Sequence, residues 1–482
     1  MKPEGRFGHL VLREIREQVG PGFVVGLRVP GDEGVSGGLG ASECLDIATA
    51  MAGTGMVDFL SVIYGSGHTD RELADVIPVF GRPLGAHVPV AAAIRHQVDV
   101  PVFHAGRIAD LPTARHVLAE GHADMVGMTR VHIADPHIVA KLMSGREDRI
   151  RPCVGATYCA SRVETFCLHN PATGREAVIP QLVAPGATPR RIVVVGGGPG
   201  GLEAARVCAE RGHDVTLLEA ASRLGGQVLL AARTTRHAEK EGIVHWLAEE
   251  VRRLGVTVRL GCFAEPDDVL ALHPDVVVVA TGGLPNTEVL DSGEELVVPT
   301  WDVLSEQPKP GRRVLIFDDH GGEQALTAAE RLAGAGARVE LATPDRMAGA
   351  DVTGTLYPDY LRALYSAGVT LTPDHVLRSV RRANGALVAT LANAYSDELV
   401  ERTVDQVVVE HGTLPVDDLY QELRPGSRNR GVTDPAALVA GRPQQPSTDE
   451  KGTYALFRIG DAVAHRNVHA AILDARRLCM GL

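Results

Sequence analysis

The chain has 482 residues, 45% hydrophobic and 22% charged, which places it among globular proteins of about two to four domains. Its net charge of −12, with no Lys/Arg cluster to offset it, argues against a nucleic-acid partner, which needs a basic surface. No apolar run reaches the ~20 residues of a membrane helix, the charged start MKPEGRFGHLVLREIREQ is no signal peptide, and seven cysteines, four of them scattered (Cys44, Cys208, Cys262, Cys479), make no disulfide framework. A cytoplasmic, reducing environment is expected.

Residues 1–150 alternate short β-branched runs with helical stretches. Strands are predicted at Phe23–Val29, Val57–Ile63, Val100–His104 and Ala123–Met128. Helices are predicted at about 6–19, 41–53, 86–97, 110–120 and 135–143. Alternation of this kind predicts a parallel sheet of βα units. Four strands are half of the eight in a closed (β/α)8 barrel, whose active-site residues lie on the loops after the strands. Two of these loops, His104-Ala105-Gly106-Arg107 and Gly127-Met128-Thr129-Arg130, set a glycine near an arginine. Bare amides and a guanidinium suit a phosphate. Ordinary βα turns with surface arginines are the alternative. Tyr64 and His104 stand at strand ends, as pocket residues or as packing residues.

Next comes CVGATYCASRVETFC, with Cys153, Cys159 and Cys167 inside fifteen residues. Clustered thiolates point to iron–sulfur chemistry, which usually takes four such ligands. A Pro/Ala/Gly-rich loop, 180–189, then leads into RRIVVVGGGPGGLEAARVCAERGHDVTLLEAASRLGGQ. Here the strand Ile192–Val195 runs into Gly196-x-Gly198-x-x-Gly201 and a helix. The glycines allow the tight turn, the approach to a pyrophosphate and close helix–strand packing. The next strand, Asp214–Leu218, ends at Glu219, placed to accept from a ribose hydroxyl. The buried strand of VVVVATGG (Val276–Gly283) and the turn Gly460-Asp461 before a helix near Asn467 belong to the same dinucleotide-binding fold.

A second αβ unit, RRVLIFDDHGGEQALTAAERLAGAGARVELAT, lies between them with its strand at Val314–Phe317. Asp318-Asp319-His320 stands where glycines should turn the chain, and carboxylates there repel a pyrophosphate. This unit is expected to bind nicotinamide weakly or not at all. ANGALVATLANAYSDELVERTVDQVVVEHGTLP reads as hairpin strands returning to the first dinucleotide fold, and Arg424–Gly452 as a polar loop. The domains follow: 1–150; 151–190 with the cysteines; 191–303 plus 430–482; and 304–429.

The stretches RFGHLVLREIREQVGPGFVVGLRVPGDE, VPVFHAGRIADLPTARHVLAEGHADMVGMTRVHIADPHIV and RPCVGATYC…CLHNPATGRE resemble the old-yellow-enzyme superfamily. The branch is that of trimethylamine dehydrogenase and 2,4-dienoyl-CoA reductase, nearest the N-methylproline demethylase-like proteins, and the likeness covers essentially the whole chain. It implies an α/β fold: the C-terminal half of an FMN-holding (β/α)8 barrel, followed by a Rossmann-like module of two dinucleotide domains. Arg28 would lie near the flavin's pyrimidine edge, and Gly106, Arg107, Gly127, Thr129 and Arg130 would hold the FMN phosphate. Gly196, Gly198, Gly201, Glu219, Gly226, Gln227, Thr281, Gly282, Gly460 and Asp461 would hold FAD, or ADP as in trimethylamine dehydrogenase. Cys153, Cys159 and Cys167 would be metal ligands, matching the first, third and fourth ligands of the family's cysteine run; Ala156 replaces the second, and the spacer Ala160–Phe166 is short. A [4Fe–4S] cluster with an outside ligand, a [3Fe–4S] cluster and a relic site all remain open. Family members carry four further βα units before this point, with the polar pair that handles substrate. A partner polypeptide supplying them, or a truncated gene model, is therefore expected, and no catalytic residue is assigned. The expected activity is oxidation of an N-methylated amine small molecule, with electrons leaving to an external acceptor. The alternatives are an NAD(P)H-dependent ene-reductase and a non-catalytic electron-transfer subunit.

Overall fold

A computed structural model describes residues 3–160, 164–186, 188–307, 309–352, 354–444 and 451–482. It divides into two compact units: Met1–Ser161 with Gly354–Asp359, and Arg162–Thr353 with Tyr360–Leu482.

In the first unit, Gly26–Pro30, Phe59–Ile63, Val102–His104 and Met125–Val126 form a four-stranded sheet in sequence order. All its pairs are parallel, with Arg28 opposite Ser61 and Val62 opposite His104. Parallel neighbours need long crossovers, and helices Ala41–Ala52, Val88–Arg95 and Leu111–Ala119 supply them. Strand alternation puts Val25, Val29, Leu60, Val62 and Val102 on one face, in a core with Leu12, Met51, Ala91 and Ile94. Arg28 points the other way and is exposed, as is Met125 at the far strand. Gly26–Pro30 and Met125–Val126 are the edges of this sheet.

Two short helices, Asp70–Val76 and Thr129–Ala134, were not expected from periodicity. The first has a readable start: Thr69 accepts from the Glu72 amide at 3.3 Å, a Thr-x-x-Glu signature.

The second unit holds two five-stranded parallel sheets. The first runs Ala455–Arg458, Val276–Val279, Arg191–Val195, Asp214–Glu219, Thr257–Leu260. Its four-valine strand is buried throughout, as expected of a strand covered on both faces. The second runs Val297–Pro299, Gln406–Glu410, Arg313–Asp318, Arg338–Ala342, Thr370–Thr372. The antiparallel strands His375–Ala383, Ala386–Asn393 and Leu399–Val404 share a core with it through Leu315, Phe317, Leu377 and Leu391.

The hairpins thus lead first into Gln406–Glu410, an inner strand of the second sheet, and not straight back to the first fold. The run Gln-Val-Val-Val-Glu is buried at every position, so its composition fits either sheet. The return comes one step later, where Thr413–Pro415 pairs with Gly283–Pro285. Val297–Pro299, read with the first dinucleotide domain, belongs to the second sheet. The Arg424–Gly452 segment contains a helix, Pro435–Val439, capped by Asp434; its residues 445–450 lie outside the described ones.

Candidate functional site

The first glycine turn is shaped by approaches that no side chain permits. Gly196 has φ +107°, and a Cβ at Gly201 would lie 1.8 Å from the Gly196 carbonyl oxygen. Gly198 caps the helix Pro199–Glu210, and nothing lies within 4 Å of where its Cβ would be. The start of a twelve-residue helix therefore opens onto free space, with its amides and dipole directed there.

The other residues expected at this site gather around that opening. Glu219 Oε2 accepts from the Gly197 amide at 2.5 Å and its Oε1 from Ala221 at 2.6 Å. Gly225 donates to the Gly197 carbonyl, and a Cβ on Gly226 would come 3.1 Å from Gly198 Cα. Gln227 Nε2 donates to Asp461 Oδ2 at 3.2 Å and lies 3.9 Å from the Cβ position of Gly282. Thr281 donates to the Val416 carbonyl. Gly460, at φ +63°, donates to Asp474, and burial raises the Asp461 carboxyl above its ordinary range. The following helix, Val468–Met480, starts where expected, and Asn467 caps it.

The corresponding turn of the second sheet is filled. Asp318 is fully buried; its Oδ1 accepts from the His320 and Gly321 amides, each at 3.0 Å, and its Oδ2 has no partner among the described residues. Burial pushes its carboxyl up to about 6. Strand register places Glu410 beside it, and burial pushes that carboxyl to about 7, with Asp318 contributing. His320 Nε2 and His465 Nε2 are hydrogen-bonded at 2.9 Å, and His465 Nδ1 meets Thr413 Oγ1 at 2.9 Å. Sequence reading missed Glu410 and His465. Only the position of His465, four residues after Asp461, hinted at a role.

In the first unit, Gly106 and Gly127 lie at the ends of neighbouring strands. The Gly127 amide donates to the His104 carbonyl at 2.8 Å. A Cβ on Gly106 would lie 3.0 Å from His104 Nε2, and one on Gly127 2.8 Å from Ala105 Cβ. The arginines of these loops reach backbone carbonyls. Arg107 Nε donates to Arg82 O at 2.7 Å, and Arg130 Nη1 to Pro78 O at 2.8 Å. Arg107 also lies against Gly155 of the cysteine segment. Thr129 opens the helix Thr129–Ala134, and Tyr64 stacks on His87 with ring centroids 4.2 Å apart. His104 is buried, with Nδ1 3.0 Å from the Val62 carbonyl.

Cys153 and Cys159 belong to the first unit and Cys167 to the second. Burial raises the Cys159 thiol above its ordinary value; nearby Cys153 adds to the rise and Arg130 opposes it. Ala156 is buried, and the Cys167 carbonyl is bonded to His469. Among the described residues, no group of three or more His, Cys, Asp or Glu side chains is arranged to hold a metal ion. Nor, among them, is any helix long and apolar enough to cross a membrane.

Residues 4–149 match the NADH:flavin oxidoreductase / NADH oxidase family and residues 164–303 the pyridine nucleotide-disulphide oxidoreductase family. The chain is 48% identical to the probable N-methylproline demethylase of Rhizobium meliloti, over 98% of this chain and 70% of that protein. It is 46% identical to the N,N-dimethylglycine/sarcosine dehydrogenase of Chromohalobacter salexigens, over 98% of this chain and 71% of that one. Histamine dehydrogenase from Rhizobium sp. 4-9 has the same fold, with a TM-score of 0.84 at 23% identity over 99% of this chain and 68% of that one. The chain belongs to the NADH:flavin oxidoreductase / NADH oxidase family and is a flavin-dependent oxidoreductase similar to amine demethylases and dehydrogenases.

Proposed function

We propose that the protein oxidises an N-methylated secondary or tertiary amine and passes the electrons to an external acceptor. The observation that carries this reading is the 48% identity, along 98% of the chain, to a probable N-methylproline demethylase. In overall balance, the amine, water and an oxidised two-electron acceptor give the demethylated amine, formaldehyde and the reduced acceptor. The N-methyl carbon gives up a hydride equivalent, and water adds to the resulting iminium.

FMN bound at the four-stranded sheet would supply the acceptance of that hydride. Arg28 is the cation proposed for the ring's pyrimidine edge; its exposure on the face opposite the Val29 core supports this. Gly106 and Gly127 are proposed to admit the phosphate, with Thr129 beside them. Arg107 and Arg130 are proposed for the same phosphate; each donates one N–H to a backbone carbonyl and has others to offer an anion. FAD or ADP is proposed at the Gly196–Gly201 turn, where the open space before the Pro199–Glu210 helix fits an anionic pyrophosphate. Gln227 and Asp461, already bonded to each other, would orient its sugar.

Two finer features belong to the same proposal. The sheet Gly26–Val126 is read as half of a (β/α)8 barrel, closed by strands from further chain or a partner polypeptide. Its exposed Phe23, Val24 and Met125 support this reading. Cys153, Cys159 and Cys167 are read as ligands of a [4Fe–4S] or [3Fe–4S] cluster that carries the electrons out. The proximity of Cys153 to Cys159 supports the first pair.

The test is formaldehyde release by the flavin-loaded protein, copurified with its partner, from N-methylproline, dimethylglycine or sarcosine with an artificial acceptor. Release from at least one is expected. No formaldehyde from any, together with rapid reduction of the flavin by NADH, overturns the reading.

A further inference from the structure

The strand Val102–His104 ends in a fully buried histidine. His104 Nδ1 lies 3.0 Å from the Val62 carbonyl oxygen, which can only accept, so Nδ1 carries a proton. Burial favours the uncharged ring and lowers its pKa, and His87 adds to this. In the uncharged form Nε2 is a bare lone pair. It is enclosed and has no partner among the described residues.

Nε2 is turned toward the Gly106 loop. A Cβ on Gly106 would lie 3.0 Å from it, so only a residue without a side chain lets the backbone rest against the ring. Gly106 is itself buried, and its N–H has no partner among the described residues either. Unmet buried polar groups of this kind are uncommon and costly. Here a donor and a lone pair meet at the loop proposed for the FMN phosphate. A neutral ring suits that phosphate badly, because its lone pair would face an anion. Protonated on Nε2, the same ring presents an N–H instead, and its bond to the Val62 carbonyl is unchanged. A phosphate dianion within reach favours the imidazolium and offsets the burial that opposes it.

Other titratable groups stand close by. His87, whose Cβ borders the same Gly106 position, meets the Asp75 carbonyl through Nε2 at 2.9 Å and stacks on Tyr64. Arg107 follows Gly106 in the loop and is a permanent cation. The strands on either side, Phe59–Ile63 and Met125–Val126, carry no charged residue.

We propose that His104 is a further ligand of the FMN phosphate, uncharged before the phosphate arrives and protonated on Nε2 once it is bound, acting beside the Gly106 amide. The proposal rests on the reading of this loop as the FMN phosphate seat. One proton passes from solvent to Nε2, and no covalent bond to carbon or phosphorus changes.

The test is a calorimetric titration of the full chain, with any copurifying partner and with FMN alone removed. FMN and riboflavin are each added at pH 7 in buffers of different ionisation enthalpy, which counts the protons taken up. The phosphate, with a second pKa of about 6, is already mostly a dianion there, and the arginines take up no proton. Uptake of about half a proton or more is expected with FMN, and about none with riboflavin, which lacks the phosphate. The preference for FMN over riboflavin should fall as the pH rises from 7 to 9, by up to about tenfold per unit. His104→Gln, which cannot take a charge, should abolish the uptake, flatten that pH dependence and weaken FMN about tenfold or more, with a smaller effect on riboflavin. FMN preferred over riboflavin with no proton taken up overturns this proposal alone, as does uptake that survives in His104→Gln. FMN bound no more tightly than riboflavin overturns the phosphate reading, and this proposal with it. If His104→Gln does not fold, the wild-type uptake and its pH dependence decide by themselves.

Discussion

Asp318→Asn isolates the charge on a buried carboxyl while keeping its shape. The side chain is fully buried, and Oδ2 has no partner among the described residues. Burial is the largest cause of its raised pKa; the two amide bonds to Oδ1 oppose it, and Asp319 and Asp345 add to it. The folded value of about 6 against an ordinary 3.8 means that protonation favours the folded state. This group's contribution to stability is therefore full below 3.8 and is lost as the pH rises through about 6. A rise of that size corresponds to about 3 kcal/mol of stability withheld at pH 8. Asparagine keeps the Oδ1 acceptor but places an amide N–H₂ at the unpartnered position, which costs about 1–2 kcal/mol. The variant should therefore be about 1–2 kcal/mol more stable than wild type at pH 8. That advantage should shrink as the pH falls to 5. It should also let Glu410 ionise at lower pH, because the Asp318 charge is one cause of its elevation. Urea unfolding of both proteins at pH 8 and pH 5 reads the difference directly. An Asn variant weaker than wild type at pH 8, or a difference that ignores pH, refutes the electrostatic account of this turn.

Gly201→Ala puts a methyl group 1.8 Å from the Gly196 carbonyl oxygen, so helix and turn must part by more than an ångström. Destabilisation of about 3 kcal/mol is expected, with about a hundredfold loss of dinucleotide affinity, checked by adenine nucleotide content after gel filtration and by thermal melting. Asn429→Ala removes a fully buried amide that bonds Leu456 N, Leu456 O and Val432 O at 2.8, 2.7 and 3.0 Å. It leaves the edge strand Ala455–Arg458 with unmet backbone groups. A loss of about 3 kcal/mol is expected in urea unfolding, without direct contact to the glycine turn.

The legible parts of this chain were those in which backbone geometry dictates residue type. Gly196 and Gly201 admit no Cβ, so the turn announces itself in sequence. The Val276–Val279 strand and the Asn467 cap are equally local signals. What escaped depended on partners far along the chain. Gln406–Glu410 is buried on all sides and gives no hint of which sheet it joins; only pairing with Val297–Pro299 and Arg313–Asp318 decides. Arg107 was read by its neighbours in the loop, where nothing announces the bond of its Nε to Arg82 O, twenty-five residues earlier. A glycine–arginine pair after a strand does not give the direction of the arginine side chain. The Glu219 carboxylate was placed correctly at the end of its strand, but its bonds to Gly197 and Ala221 required the folded turn.

The two dinucleotide-type turns make the general point. Both follow a buried β-branched or aromatic strand, and both lead into a twelve-residue helix. The scaffold therefore does not decide what either turn binds. Both turns already spend amides on a carboxylate, Glu219 in the first and Asp318 in the second, so the difference lies in whether the helix start is open. Among the described residues, nothing lies within 4 Å of a Cβ built on the Gly198 cap, whereas His320 and Gln324 lie against one built on the Gly322 cap. The second unit also reaches the first turn's surroundings: its Gln406–Glu410 strand leads into the Thr413–Pro415 ribbon, which carries Thr413 to His465, four residues from Asp461.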